Sequence, residues 1–249
     1  MTWGSFGVVH ILTLLAAVGI NIGLFFLLRG KSEKLQITVL GILSFSGILA
    51  VVCNLVMWDS PLEYLPLHLC SLNALVLPFA VFCRSKVLNN LLLVWSLGAA
   101  AALIVNTAQA EYVLMSDVFC IYYFPHVLEC GIPILMFALK LVKKDPRCIL
   151  STLGITAASY TVIHFINVWL NDYCAANNLL DWAGEVITVN YMYSLVPANP
   201  LLELFWSLIP VPYWYMYLIF PIVAIYLLAV YAPELLAARK KVDTEALVS

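Results

Sequence analysis

The sequence predicts an all-α fold: a polytopic bundle of seven transmembrane helices that forms one domain over residues 1–249, with an outside N-terminus and a cytoplasmic C-terminus. Three observations lead to this prediction: the composition, the length of the apolar runs and the placement of the basic residues. Of the 249 residues, 64% are hydrophobic and only 10% are charged, and the mean hydropathy is +0.99. Soluble domains carry about 25% charged residues because water must solvate their surfaces. Most of the surface of this chain must therefore face lipid.

Seven apolar runs are long enough to cross a hydrocarbon core about 30 Å thick. They cover residues 7–28, 36–57, 64–83, 87–108, 118–139, 148–170 and 213–232. No basic segment precedes the first run, so we expect it to stay in the protein as a span rather than to be cleaved as a signal peptide.

The link before the last span, residues 171–212, is long and holds several acidic residues and prolines. Within it, residues 201–209 form an amphipathic stretch that is too short to cross the bilayer. We expect an extracytoplasmic link with a short interfacial or re-entrant half-helix at this stretch.

The basic residues predict the orientation. All twelve Lys and Arg lie in the first, third and fifth links or after the last span, whereas the charged residues of the second, fourth and sixth links are all acidic. Because basic residues accumulate on the cytoplasmic side, the odd links and the tail are expected to be cytoplasmic. The predicted localisation is the cell membrane, with several passes.

The four histidines lie on four separate predicted spans, all in the outer half of the bilayer: His10, His68, His126 and His164. Ionisable residues inside spans are costly and usually mark functional sites. A single histidine could equally make a structural hydrogen bond between two helices. Four at similar depth favour a shared polar cavity that opens outward.

Helical spacing restricts which of these groups can act together. Tyr122, His126 and Glu129 share one helix face because they are spaced three or four residues apart. His68 and Cys70 point to nearly opposite sides of one helix, so a base for the Cys70 thiol would have to come from another helix, such as His126.

Two chemistries fit this set of residues. In nucleophilic acyl transfer, His126 would be the base and Cys70 a nucleophile, with His68, His164, Asn73 and Asn106 shaping the pocket. Three histidines and Glu129 could instead hold zinc, but the chain has no HExxH or similar spacing, and neither a metal site nor a cofactor is predicted.

Two further classes of function stay open. A small-solute transporter could use the same cavity with Glu129 as its proton or cation partner, and a non-catalytic membrane subunit would need no site. A transporter requires polar residues that continue to the cytoplasmic face. The expected partners are membrane lipids and a lipid or acyl substrate, with no nucleic acid.

Four segments carry a resemblance to a known family. They are YLPLHLCSLNALVLP (64–78), YYFPHVLECGIPIL (122–135), VIHFINVWL (162–170) and VNYMYSLVPANPLLELF (189–205). Together they resemble the YwaF-type integral membrane proteins of bacteria, which are similar in turn to a eukaryotic multi-spanning acyltransferase family of ether phospholipids.

The resemblance implies a membrane bundle with a lipid acyl substrate, and it places His68, His126 and His164 in the site. It adds to the substrate-binding set, which comprises Tyr122, Asn73, Asn106, Glu129, Asn167, Asn190 and Tyr191. Leu67 stands where the acyltransferases have their presumed cysteine nucleophile, and Cys70, one turn later, is the candidate substitute.

Overall fold

The computed structural model describes residues 1–58 and 60–248, with side chains described through residue 237. The described residues form helices, as the sequence predicts, and two isolated β-bridges. Its α-helices are α1 Val8–Leu28, α2 Glu33–Met57, α3 Leu69–Cys83, α4 Lys86–Ile104, α5 Asp117–Ala138, α6 Cys148–Ala176, α7 Pro200–Leu208 and α8 Ile219–Val248. Short 3₁₀ turns lie at Pro61–Tyr64, Thr107–Gln109, Tyr191–Tyr193 and Trp214–Leu218.

Among the described residues, six helical segments are long and apolar enough to cross a membrane: α1, α2, α4, α5, α6 and Trp214–Ala237. The third predicted span differs, because α3 begins at Leu69 rather than at residue 64 and is fifteen residues long. At about 1.5 Å per residue it extends about 22 Å, less than the hydrocarbon core of about 30 Å. Pro66 explains the late start, since the residue before a proline avoids the helical region and Leu65 has ψ 143°.

Polar residues at the links begin several of these helices. The hydroxyl oxygens of Ser32, Ser85 and Ser116 accept hydrogen bonds from N–H groups in the first turns of α2, α4 and α5. The Asn199 side chain does the same for α7, where it accepts from Leu202 N at 3.1 Å. Such caps satisfy N–H groups that have no partner inside the helix.

The centre of the bundle is formed by α3, α4 and α5. Half or more of the residues in the apolar windows of α4 and α5 are buried, against 11% for α1 and 17% for α6. Leu77, Ile132 and Met136 are fully inaccessible and fill the space between α3 and α5. The outer helices expose apolar side chains such as Leu15 and Phe165, as lipid contact requires.

The basic links meet at one end of the bundle. Arg84 pairs with Glu33, Lys86 pairs with Asp145, and the Lys144 ammonium lies 3.2 Å from the carboxylate of Glu234. These contacts join the first, third and fifth links and reach the middle of α8 at Glu234. They agree with spans that alternate in direction.

The residues before α1 fold back onto the fourth link at the other end of the bundle. Trp3 N donates to Tyr112 O at 2.8 Å, Leu114 N donates to Met1 O at 2.9 Å, and Thr2 and Val113 form an antiparallel bridge. The Trp3 side chain is fully buried and donates through Nε1 to Thr13 Oγ1 at 2.8 Å.

Candidate functional site

A cavity of about 50 Å³ lies where α2, α3 and α5 meet, in the half of the bundle away from the basic links. Tyr122 lies five residues and Glu129 twelve residues from the start of α5, so the cavity extends from about 8 to about 18 Å along that helix. A polar cavity of this size holds a few water molecules. It is lined by Gly47, Ala50, Val51, Asn54, Cys70, Ser71, Ala74, Ile121, Tyr122, Pro125, His126 and Glu129.

His126 lines this cavity and has one ring nitrogen without a hydrogen-bond partner among the described residues. Its Nδ1 lies 2.6 Å from the carbonyl oxygen of Tyr122, and because a carbonyl only accepts, Nδ1 carries the hydrogen. Nε2 of the neutral ring is then an acceptor. This atom is buried and has no hydrogen-bond partner among the described residues. The Tyr122 ring lies against the imidazole with centroids 4.4 Å apart, which holds the ring in place.

Glu129 lies at the inner end of the cavity and is 4% exposed. In the part of the chain that the structure describes, its Oε2 has no hydrogen-bond partner. Its Oε1 lies against Gly47, where an added Cβ would be only 2.5 Å away. Glycine at position 47 is therefore what lets α2 approach the carboxyl group.

Three prolines lie four residues after cavity-lining positions. Pro78, Pro125 and Pro133 have no N–H to donate to the carbonyls of Ala74, Ile121 and Glu129, one turn earlier. Asn73 takes the place of one missing donor, since its Nδ2 donates to Glu129 O at 3.1 Å. The amide thus joins α3 to α5 directly below the cavity.

The first turn of α3 forms another wall of the cavity through Cys70 and Ser71. The first helical hydrogen bond runs from Leu72 N to His68 O, and the His68 side chain does not cap the helix. The N–H groups of Leu69, Cys70 and Ser71 precede that bond, so they have no acceptor within the helix.

His68 and His164 contact the long link instead of lining this cavity. His68 Nδ1 accepts a hydrogen bond from Met192 N at 3.3 Å, so its hydrogen is on Nε2 in the neutral ring. His164 Nδ1 lies 3.1 Å from Ser194 Oγ. Ser194 Oγ also accepts from Asn167 Nδ2 at 2.9 Å, so this hydroxyl group links His164 to Asn167.

Two asparagines one turn apart on α6 hold this link as an extended segment. Asn167 donates to Tyr191 O at 2.8 Å and accepts from Tyr191 N at 2.9 Å. Asn171 makes the same two bonds with Val189, at 3.0 and 2.7 Å. Four residues along a helix advance about 6 Å and two along an extended chain about 6.6 Å, so the two spacings match.

The remaining link residues of the predicted set also bond to backbone. Asn190 accepts from Leu195 N and donates to Val196 O, which closes the turn after the extended segment. The Tyr191 hydroxyl donates to Leu62 O. Burial raises the pKa of Tyr191 to about 12, so the hydroxyl keeps its hydrogen at physiological pH.

His10 and Asn106 lie on a third side of the bundle and hold the segment before α1. His10 accepts from Phe6 N at 2.9 Å through Nδ1, and its Nε2 donates to Leu103 O at 2.8 Å. Asn106 donates to Gly4 O at 2.8 Å. The four histidines therefore occupy three environments rather than one cavity, because the link lies over α3 and α6 and takes His68 and His164 as partners.

The structure adds residues that the sequence did not single out. Gly47 and Ala74 shape the cavity, and the prolines remove helical N–H donors next to it. The four-residue spacing of Pro125 and Pro133 from Ile121 and Glu129 is visible in the sequence and could have pointed to this part of α5. No group of three or more His, Cys, Asp or Glu able to hold a metal ion occurs among the described residues.

Comparison with known proteins places the whole bundle, including the cavity and the link, in one family. No curated protein and no solved structure matches the chain. The sequence model of the TMEM164 family matches residues 5–231, a range that contains all the site residues described above. The chain therefore belongs to the TMEM164 family of membrane proteins.

Proposed function

We propose that this chain is a lipid-modifying enzyme of the cell membrane that transfers or hydrolyses acyl groups at the cavity between α2, α3 and α5. The observation that carries the proposal is His126 Nε2, which is buried and lacks a partner among the described residues, on a side chain that lines the same cavity as Cys70. A base next to a nucleophile is the basic requirement of covalent acyl transfer.

The proposed topology has seven spans, with the short α3 as the third and the N-terminus outside. In this arrangement the basic links face the cytoplasm, and the cavity opens in the outer leaflet. An ester bond of a membrane lipid lies near the headgroup. The cavity depth of about 8 to 18 Å along α5 suits such a substrate.

The proposed reaction begins when His126 Nε2 takes the proton of the Cys70 thiol. The sulfur attacks the ester carbonyl carbon, and the tetrahedral intermediate collapses with cleavage of the carbon–oxygen ester bond. The departing alkoxide takes the proton back from His126, which leaves a thioester on Cys70. A second hydroxyl, from an acceptor lipid or from water, then gives its proton to His126 and attacks the thioester, and the Cys70 sulfur leaves and is reprotonated.

The first turn of α3 offers stabilisation for the oxyanion. The N–H groups of Leu69, Cys70 and Ser71 lack helical acceptors, and a helix N-terminus carries partial positive charge. Preorganised donors of this kind are often the largest single contribution to acyl transfer. Leu67 has a hydrocarbon side chain with no nucleophilic atom, and it packs against the apolar cluster beneath the link.

The inner half of the bundle argues against the transporter alternative. Between the cavity and the basic links, Leu77, Ile132 and Met136 are fully buried and closely packed. Farther in, Asn89 Nδ2 donates to Ala80 O at 2.7 Å and Asn90 Nδ2 donates to Lys86 O at 2.7 Å, so both side-chain NH₂ groups donate within the bundle itself. A site open on one side is what an enzyme at the outer leaflet needs.

The test uses purified protein in vesicles of phospholipid that carries a fluorescent acyl chain, with a lysophospholipid as acceptor. His126→Asn keeps an N–H for the Tyr122 carbonyl but removes the base, and we expect activity to fall by about 100-fold or more. Cys70→Ala should abolish activity and the hydroxylamine-sensitive acyl adduct that mass spectrometry would detect on Cys70 of the wild type.

Cys83→Ala is the matched control, because this exposed thiol lies at the end of α3 that is far from the cavity. It should retain full activity. Undiminished turnover by His126→Asn would remove the base assignment, and an adduct on a different residue would remove Cys70 as the nucleophile.

A further inference from the structure

Hydrogen-bond donors predominate at the outer part of the cavity between α2, α3 and α5. The backbone N–H groups of Leu69, Cys70 and Ser71 have no acceptor within α3, and the Cys70 thiol and the Ser71 hydroxyl belong to side chains that line the cavity. Asn54 also lines the cavity, and its amide oxygen accepts from Trp58 Nε1 at 3.4 Å, which leaves its NH₂ group as a further donor. The partial positive charge of a helix N-terminus adds to this preference for a negatively charged ligand.

Glu129, at the inner end of the cavity, adds a donor because its carboxyl group is neutral. The side chain is 4% exposed and has an oxygen without a partner among the described residues. The Lys and Arg residues lie at the ends of the spans or outside them, away from this group. An ionised carboxylate without a counter-charge is very costly inside a bilayer, whereas the protonated form carries an O–H group that donates a hydrogen bond.

His126 is the group that can balance the charge of a buried anion. The Nε2 atom of its neutral ring is buried and has no partner among the described residues. A weak acid beside such an atom can leave its proton there, so that the ligand is an anion and the ring is an imidazolium. The two opposite charges stabilise each other, and no net charge enters the bilayer.

The cavity borders the lipid-facing surface of α2. Ala50 and Val51 line the cavity, and their neighbours Leu49 and Val52 are exposed apolar side chains. With a volume of about 50 Å³, the cavity has room for a carboxyl group but not for a long hydrocarbon chain. We expect a chain attached to that group to lie along the apolar surface of α2, in contact with lipid.

We propose that the cavity binds the carboxylate group of a long-chain fatty acid, with the first-turn N–H groups of α3 and the neutral Glu129 as donors and protonated His126 as the counter-ion. Such an acid is the product that ester hydrolysis at this cavity releases, so this binding rests on the proposed function and adds a ligand to it. The donors that stabilise the oxyanion of the tetrahedral intermediate also hold the oxygens of the product. Fatty acid that accumulates in the membrane therefore competes with the ester substrate.

The test measures binding of tritiated palmitic acid to the full chain in nanodiscs, in the Cys70→Ala variant, which cannot form a thioester. Unlabelled palmitic acid should compete at least about tenfold better than hexadecanol, which has the same chain but no charge. Acetate has the carboxylate without the chain and should not compete. Replacing His126 by Asn in this background removes the counter-charge and should weaken binding about tenfold or more. Glu185→Gln, which changes an exposed acid in the link, should bind like the parent variant.

A spectroscopic readout keeps the test independent of any folding defect in the His126 variant. The ¹³C signal of carboxyl-labelled palmitic acid bound to Cys70→Ala should be that of the ionised acid, and the signal of the neutral acid would overturn the proton transfer to His126. Equal competition by hexadecanol would show that the site binds only the chain, and strong competition by acetate would replace the lipid by a small anion. Binding of the ionised acid without an acyl adduct on wild-type Cys70 would support this site and count against the proposed acyl transfer.

Discussion

Replacing Asn167 by alanine should release the long link from α6. The Asn167 side chain is fully buried and makes three hydrogen bonds, two with the backbone of Tyr191 and one with Ser194 Oγ. Alanine leaves the N–H and C=O of Tyr191 without these partners, and Tyr191 is itself 1% exposed. The neighbouring Met192 N–H, which His68 accepts, would lose its position as well.

The size of the effect follows from the number of groups left unpaired. Each buried polar group that loses its partner costs about 1–3 kcal/mol. Tyr191 N loses its partner, whereas Tyr191 O keeps a longer bond from Ser194 N at 3.4 Å, so we expect a loss of about 2–4 kcal/mol in the free energy of unfolding. For a chain of this length, about 4 kcal/mol corresponds to a fall in Tm of about 8–16 °C.

Thermal unfolding in detergent gives the overall loss, and hydrogen exchange with mass spectrometry locates it. The amides of peptides that cover residues 187–195 should exchange faster in Asn167→Ala, while peptides from α4 keep their wild-type rates. Asn177→Ala is the matched control, because its exposed amide donates only to Tyr173 O near the end of the same helix. It should change stability by less than about 0.5 kcal/mol. Equal Tm values for the two variants, with the Tyr191 amide still protected from exchange, would refute the role of Asn167 in holding the link.

Two other predictions concern the ends and the packing of the bundle. Hydrogen bonds from Arg147 and, to a smaller extent, from Lys86 hold the pKa of Asp145 below its usual value of 3.8. The ionised side chain therefore stabilises the fold at pH values above 3.8. This stabilisation is lost as pH falls from 3.8 through the lower pKa of the folded state. The Tm difference between wild type and Asp145→Asn should thus be constant from pH 8 to pH 5 and shrink below pH 4, and a difference that is unchanged at pH 3 would contradict the ion pair. At Gly131 an added Cβ would lie 1.5 Å from Asn21 Oδ1, so Gly131→Ala should cost about 1–3 kcal/mol; Asn21→Ala should restore part of it, and Gly154→Ala, which meets no atom within 4 Å, should not destabilise.

The helical fold could be predicted because lipid imposes it. Apolar runs of about twenty residues and the confinement of basic residues to alternate links are each properties of a whole span or link. An error at a single residue therefore does not change the prediction. The third span shows the limit. Its apolar content from residue 64 onward suggested a helix, but Pro66 delays the start to Leu69, and a local backbone restriction outweighs the hydropathy average.

The site was harder to predict because the partners of each polar group come from elsewhere in the chain. Helical spacing does place Tyr122, His126 and Glu129 on one face of α5, and all three line the cavity. The same reasoning cannot show that residues 189–194 lie over α3 and α6. That contact occupies His68, His164 and Asn167, and it separates them from His126.

The cavity also has a cost that a purely structural role would not explain. Glu129 Oε2 and His126 Nε2 are both buried without partners among the described residues, and each such group costs about 1–3 kcal/mol. Their sum is a large share of the about 5–15 kcal/mol that stabilises a typical domain. Apolar side chains in the same space would remove that cost, as Leu77 and Ile132 do directly below. Polar side chains remain unpaired at one place, beside a glycine that lets α2 approach them and prolines that remove helical N–H donors. This combination indicates that this part of the bundle is built to hold an occupant.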